Sequence, residues 1–310
     1  PAGVVQWSKT YNNPAWNSDD AGSHILIDNN YVYVTGYTYQ GIQNKNDAVI
    51  LTYDQIDGSY SAPVQLFYDK GNQIPTCFII TQLPDISIPR AKSRMAVGCV
   101  SDNAVNNIPT DYLTLCFGSD EDNTLRWAKK FNGAGKGEDV ATAMAKDDDG
   151  NVFVTGYSYN GINRKFDFAS MKYSKYNGDY LWNPEVSYYD FQNGDDKASS
   201  IKVGSLNDVY IAGESEFSDN GFKIAGYKQE NSTIIRQWSD EFNPVLDIIK
   251  EDDITSLQKA TKVDIDNLGN IFLTVFKWNS NGASYAIRKY DMFGNILFTI
   301  DNTGNRPVKN

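Results

Sequence analysis

Along the chain, apolar and β-branched residues come in short runs of strand length, bounded by clusters of Asp, Asn and Gly. They do not recur at the three-to-four spacing of an amphipathic helix. The clearest runs are Tyr31-Val32-Tyr33-Val34-Thr35-Gly36-Tyr37 and Asn151-Val152-Phe153-Val154-Thr155-Gly156-Tyr157. Weaker versions stand at Val209-Tyr210-Ile211-Ala212-Gly213 and Ile271-Phe272-Leu273-Thr274-Val275, and a degraded one at Met95-Ala96-Val97-Gly98-Cys99. They recur about every 60 residues, a period that marks a repeat architecture.

Each repeat predicts four strands. The first follows an Asp-Ala-like start (Asp20-Ala21, Asp139-Val140-Ala141, Asp196-Lys197-Ala198). A turn such as Asp147-Asp148-Asp149-Gly150-Asn151 or Asp266-Asn267-Leu268-Gly269-Asn270 leads into the second strand, the Thr-Gly-Tyr run. Asn, Asp and Gly tolerate the positive φ that such hairpins need. The third strand is Asp47–Tyr53, Asp111–Phe117, Asp167–Tyr173, Phe222–Tyr227 and Tyr285–Tyr290. The fourth often carries Trp, as in Arg126-Trp127-Ala128 and Arg236-Gln237-Trp238. Val4–Tyr11, with Trp7, and Asn295–Ile300 both read as fourth strands, one more than five repeats need. Residues 243–256 break the pattern before the last repeat, as a short helix with Leu246, Ile249 and Asp253 on one face or as a long connection.

The second and third strands carry apolar or small residues on both faces. A sheet built from them must therefore lie between like sheets. The expected fold is all-β, a β-propeller of four-stranded antiparallel blades, with five blades favoured and six or seven open. It is expected as one domain over 1–310, with repeats near 12–67, 68–128, 129–186, 187–239 and 240–301 and residues 4–11 as closing strand.

Net charge is −11 at a pI near 4.6, which leaves no basic footprint for nucleic acid. No run approaches the ~18 apolar residues of a membrane-crossing helix, so membrane insertion is not expected. The opening Pro1-Ala2-Gly3 reads as a mature or trimmed chain. Of three cysteines, Cys77 and Cys99 fall where a cross-strand disulfide can form if the chain is secreted. Cys116 reads as a buried thiol.

The segment Trp127 to Trp182 carries Trp…Phe-Asn…Asp…Ala, then Asp-Gly-Asn-Val-Phe-Val-Thr-Gly-Tyr-Ser, then Asp-Phe-Ala-Ser-Met-Lys-Tyr, then Asn-Gly…Trp. It resembles the seven-bladed β-propeller (SBBP-type) repeat family of secreted and cell-surface bacterial proteins, frequent in Bacteroidota and often placed ahead of a type IX sorting domain. The resemblance is strong at Val4–Tyr60 and Glu138–Trp182 and weak at Gly71–Ser119. It implies an extracytoplasmic propeller and no shared catalytic residues.

Candidate chemistry is sparse. His24, the only histidine, reads as an ordinary strand residue, since a histidine metal centre needs further ligands. Asp147, Asp149, Asp264 and Asp266 look like fragments of a calcium loop but also like hairpin turns; no cofactor is expected, with calcium the alternative. The acidic pairs Asp19-Asp20, Glu138-Asp139 and Asp195-Asp196 recur from repeat to repeat, which marks a structural device rather than a catalytic pair. The candidate binding residues lie on the connections after the second strands: Tyr37, Tyr39, Asn44, Tyr157, Tyr159, Asn160, Arg164, Trp278 and Asn279. Aromatic and amide groups of this kind suit protein or glycan recognition. The expectation is a non-catalytic, secreted or cell-surface module that binds protein or glycan. A structural subunit of an envelope assembly and a polysaccharide-active enzyme are the alternatives.

Overall fold

The computed structural model describes residues 3–15, 18–41, 45–66, 71–82, 93–103, 108–118, 124–161, 165–182, 186–189, 194–204, 208–215, 221–230, 233–242, 257–279 and 282–301. Among them there are twenty strands and no helix. The first sheet holds β1 (Asp20–Ile27), β2 (Tyr31–Tyr39), β3 (Asn46–Asp54) and β4 (Tyr60–Leu66). The second holds β5 (Gln73–Gln82), β6 (Arg94–Asn103), β7 (Ile108–Phe117) and β8 (Leu125–Phe131). The third holds β9 (Asp139–Lys146), β10 (Val152–Tyr159), β11 (Phe166–Tyr173) and β12 (Val186–Tyr189). The fourth holds β13 (Asp196–Val203), β14 (Val209–Ser215), β15 (Gly221–Glu230) and β16 (Thr233–Phe242). The fifth holds β17 (Leu257–Ile265), β18 (Ile271–Asn279), β19 (Gly282–Tyr290) and β20 (Ile296–Asp301). Every sheet is a four-stranded meander in chain order. These are the antiparallel blade sheets of the β-propeller class that the repeats predict.

The Thr-Gly-Tyr motif has a steric cause. In β1, β13 and β17 the ladder to the next strand slips by one residue, at Gly22/His24, Ala198/Ser200 and Ala260/Lys262. The extra residue bulges, and in two of them its hydroxyl bonds back across the ladder: Ser23 Oγ donates to Thr35 O (3.2 Å) and Ser199 Oγ to Ala212 O (3.4 Å). The bulge drives the first strand's backbone against the second. A Cβ on Gly36 would collide with Ala21 O, and one on Gly213 with Lys197 O. At these two positions only glycine fits, whereas the slip in β17 faces Val275.

The chain forms two compact units. One comprises residues 1–133, 137–141 and 175–178; the other comprises 134–136, 142–174 and 179–310. In the first unit, β2 splits its side chains between two faces. Tyr31 and Tyr33 join Ala48 and Ile50 of β3 in a core shared with Phe78, Met95, Val97 and Leu115 of the second sheet. Asp28 ties the two sheets: it accepts from Tyr33 Oη and Ser93 Oγ, both at 2.7 Å, and burial with this bond raises the Tyr33 phenol's pKa far above its ordinary value. In the second unit Phe153 and Phe168 pack on Ala198, Ile201 and Ile211, and Tyr210 and Ala212 on Val263, Leu273 and Val275.

Two expectations are corrected by the backbone. Residues 4–11 form no strand, although Trp7 and Tyr11 pack on the first sheet. The Cys77–Cys99 disulfide is absent: the bulge at Thr76 sets Cys77 opposite Gly98 and Cys99 opposite Pro75. Both are free thiols, and Cys116 is a buried free thiol as expected. Burial raises all three, Cys77 and Cys116 to about 12. Residues 243–256 lie outside the described residues.

Candidate functional site

The polar side chains singled out by sequence gather where the second strand turns into the third. The strands run further than expected: Tyr37 and Tyr39 belong to β2, Tyr157 and Tyr159 to β10, and none stands on a loop. All four are half-buried. The turns close by Gln40 N–H to Lys45 O (2.6 Å) and Asn160 N–H to Lys165 O (3.1 Å). Tyr157 and Tyr159 pack edge-on against Phe166 at 5.3 and 5.8 Å, and the Lys197 ammonium lies 4.7 Å from the Phe166 ring centre. Asn160 Nδ2 donates to Asp167 Oδ2 at 2.9 Å. Asn44 and Arg164 lie outside the described residues. Trp278 and Asn279 end β18, and their side chains lie outside the description.

The connections entering β1 and β9 lie at this same end of their sheets. Asn13 Nδ2 donates to Tyr39 O at 3.2 Å, and Gly135 sits so close to Tyr159 O and Gly161 N that a Cβ there would clash. The acidic starts are anchors for these connections. Asp20 accepts Asn13 N–H (2.9 Å) and the Thr38 hydroxyl (2.5 Å), and Asp139 accepts Gly133 N–H (2.7 Å). Asp195 accepts Phe166 N–H at 3.1 Å. Strand register adds a carboxylate from the third strand: Thr38 faces both Asp20 and Asp47, and Ser158 faces Asp167. A carboxylate, a hydroxyl, an amide and a half-buried tyrosine thus share one sheet end, in Asp20, Thr38, Gln40 and Tyr39, and in Asp167, Ser158, Asn160 and Tyr159. Sequence reasoning found the tyrosines and Asn160 but missed Asp47 and Asp167. Their signal was the Asp that opens three of the five third-strand runs.

Two of the four calcium candidates, Asp147 and Asp266, serve their own turns. Asp147 accepts Asn151 N–H (2.8 Å) and pairs with the buried Lys172 ammonium at 2.8 Å. Burial raises its pKa, but Lys172 and Asn151 outweigh that and hold the carboxyl below its ordinary value. Asp266 repeats the arrangement with Asn270 (2.9 Å) and Lys289 (3.5 Å). Asp264 pairs with Lys202 at 3.1 Å, and Asp149 is exposed. Among the described residues no group of three or more His, Cys, Asp or Glu converges on one point. His24 is a half-buried strand residue whose Nδ1 lies 3.0 Å from Ser23 Oγ.

A cleft of about 270 Å3 opens on the outer face of the first sheet, between β1–β3 and the N-terminal segment. Trp7, Tyr11, Ile25, Val34 and Tyr53 line it, with Lys9 and Asp20 at its edges. Burial, then Tyr11, raises Tyr53, and burial, then Tyr53 and Tyr11, push Tyr60 up to about 12. Phenols held this way stay protonated and supply no base. The cleft is the mainly apolar space between this face of the sheet and the Trp7 and Tyr11 rings that pack on it. Its sequence signal was the surplus fourth strand at 4–11.

No family model matches the chain, and no curated protein matches it. Solved structures are similar over most of its length. A Dyadobacter fermentans protein of unknown function is 10% identical with a TM-score of 0.49, covering 92% of this chain and 83% of that one. The polysaccharide lyase Uly1 is 12% identical with a TM-score of 0.47, covering 99% and 78%. An α-L-arabinofuranosidase from Clostridium thermocellum is 9% identical with a TM-score of 0.37, covering 94% of each. Similarity at this level assigns no activity. The expectation that the chain is not an enzyme is corrected to this extent: a polysaccharide lyase and an arabinofuranosidase stand among the structures it resembles.

Proposed function

We propose that the protein acts on polysaccharide outside the cytoplasm, with the sheet ends that carry Tyr39 and Tyr159 as its sugar-contacting surface. One observation carries this reading. One sheet in each compact unit places a half-buried tyrosine and a half-buried amide, Tyr39 with Gln40 and Tyr159 with Asn160, at the same strand end, above buried hydroxyls and carboxylates. A tyrosine ring offers a flat apolar face to a sugar ring, and amides and carboxylates satisfy its hydroxyls. Repetition from sheet to sheet suits a ligand that itself repeats. Membership of the secreted seven-bladed repeat family belongs to the same proposal.

The test is a panel of neutral and uronate-containing polysaccharides, followed by reducing-end release and by absorbance of unsaturated products, with oligosaccharide binding followed by NMR. Product release or binding that falls about tenfold in Tyr159→Ala or Tyr39→Ala, equivalent to ~1.4 kcal/mol, supports the reading. Neither product nor binding across the panel overturns it.

A further inference from the structure

The tyrosine set of the third sheet carries a charge that the set of the first sheet lacks. Alternation along β10 points Phe153, Tyr157 and Tyr159 to one side, and Phe153 clusters there with Ala198, Ile201 and Ile211 of the fourth sheet. Phe166, set opposite Tyr159 by register, joins that side and packs against both tyrosine rings. The three rings therefore line the margin where the third sheet meets the fourth.

Lys197, the second residue of β13, reaches across this margin. Its ammonium lies 5.1 Å from the centre of the Tyr157 ring and 4.7 Å from that of Phe166. Ring faces attract an ammonium, but they are weak acceptors for its three N–H donors. Among the described residues Lys197 donates to no oxygen and makes no ion pair. Glu214 stands opposite it in the β13–β14 register, yet the two side chains form no ion pair. Lys165, at the same sheet end, already has Asp195 at 3.9 Å. The chain holds 39 acidic residues against 28 basic ones, so carboxylates are the commoner charge. A half-buried ammonium that takes none of them has given up hydration without gaining an anionic partner.

The first sheet supplies the contrast. Gln73 faces Ser101 as Asp196 faces Ser215, so the β5 residue in the place of Lys197 is Ile74, 38% exposed. β5 packs on the first sheet as β13 packs on the third. The sheet end at Tyr39 thus receives an apolar residue, and the one at Tyr159 a cation.

We propose that the Tyr159 end recognises an acidic polysaccharide, with a sugar ring against the tyrosines and the Lys197 ammonium paired to an anionic group on that sugar, a carboxylate or a sulfate ester. This rests on the reading of that surface as sugar-contacting, and it names the class of sugar. The test uses three oligosaccharides on one backbone: an oligogalacturonate, its carboxyl-reduced neutral form, and a sulfated version of the neutral form. NMR titration measures their affinities for the parent, for Lys197→Met and for Lys197→Arg. Met keeps the length of the side chain and its apolar contact with the rings but removes the charge; Arg restores the charge. The parent should bind at least one anionic chain about tenfold more tightly than the neutral one, and the preference should shrink at high salt. Whichever anionic chain is preferred identifies the group as carboxylate or sulfate. Lys197→Met should lower the affinity for that chain to the neutral level and leave neutral binding unchanged, and Lys197→Arg should keep the preference. Equal affinity for charged and neutral chains overturns the proposal, as does a preference that survives in Lys197→Met; either result leaves sugar binding itself intact, so the functional reading stands. Binding of none of the three overturns the proposal as well, while product release across the polysaccharide panel decides the functional reading separately.

Discussion

Trp7 and Trp127 make the same contacts, yet only Trp127 stands on a strand. Both indoles donate to a turn carbonyl and cover a turn glycine. Trp127 is 7% exposed, on β8, with β7 laddered beside it; Trp7 is half-buried on a segment with no ladder. The difference separates two contributions that propeller repeats normally combine. Side-chain docking fixes where the outer segment lies. Regular strand geometry comes only from a neighbour that takes up the backbone N–H and C=O groups.

The sharpest break of this comparison is to remove each indole. Trp127→Ala empties a closed site and is expected to cost about 3–5 kcal/mol. Trp7→Ala gives up a half-buried contact and one hydrogen bond, an expected loss of about 1–3 kcal/mol. Urea denaturation of the two variants measures both. Equal losses would mean that the ladder beside Trp127 adds nothing to the lock.

The same contrast of closed and open copies recurs in the turn aspartates. Lys172 and Asp147 are 5 and 1% exposed, whereas their counterparts Lys289 and Asp266 are 20 and 31% exposed. Lys172→Met strands a buried carboxylate and is expected to cost about 3–5 kcal/mol. Lys289→Met leaves Asp266 in contact with water and with Asn270, so its loss should be much smaller. Midpoints of thermal unfolding for the pair test the ranking.

Much of this was legible in the chain. Two-sided apolar runs such as Tyr31–Tyr37 identify sheets stacked between sheets, and the Asp-Gly-Asn turns place the hairpins. Less legible was anything decided by one residue of register. The bulge at Thr76 separates Cys77 from Cys99, and nothing in the spacing of the two cysteines reveals it. Tyr39 and Tyr159 read as loop residues because polar residues follow them. They stay in strands because the Thr38 and Ser158 positions continue the ladder opposite Asp47 and Asp167. Residues 4–11 carry a full strand pattern and lack a strand, since pattern specifies what a segment can pair with and not whether the partner is there.

The lock glycines sharpen the comparison at a smaller scale. Gly58 and Gly178 have φ of +65° and +70°. A Cβ meets backbone strain at both, about 1–2 kcal/mol, and then the indole. At Gly178 the ring is held by its strand and cannot withdraw; at Gly58 it can swing out with the unladdered segment. Gly178→Ala is therefore expected to lose more stability than Gly58→Ala, while Gly58→Ala should shift Trp fluorescence to longer wavelength as Trp7 meets water. Equal stability losses with no spectral shift would mean the N-terminal segment is held as firmly as β8.

The smallest expected effect is in acid. The Asp147 carboxyl has a folded pKa below its unfolded value, because bonds from Lys172 and Asn151 outweigh burial. A depressed carboxylate stabilises the fold above its unfolded pKa of about 4, and that contribution disappears as pH falls through the folded value. Stability should therefore decline as pH falls below about 4, and Asp147→Asn, less stable at neutral pH, should decline less steeply there. Asp266 is depressed by its Asn270 bonds in the same direction, but it is open to solvent and salt screens its pairing with Lys289. Raising salt should flatten the Asp266 contribution and leave that of Asp147 in place. Unfolding curves of the parent and both Asn variants, taken at low and high salt across this range, separate the two. A parent profile that flattens as fully as the Asp266 contribution on adding salt would show that Asp147 is reached by solvent after all, and that the closed and open copies of this turn do not differ in the way their burial implies.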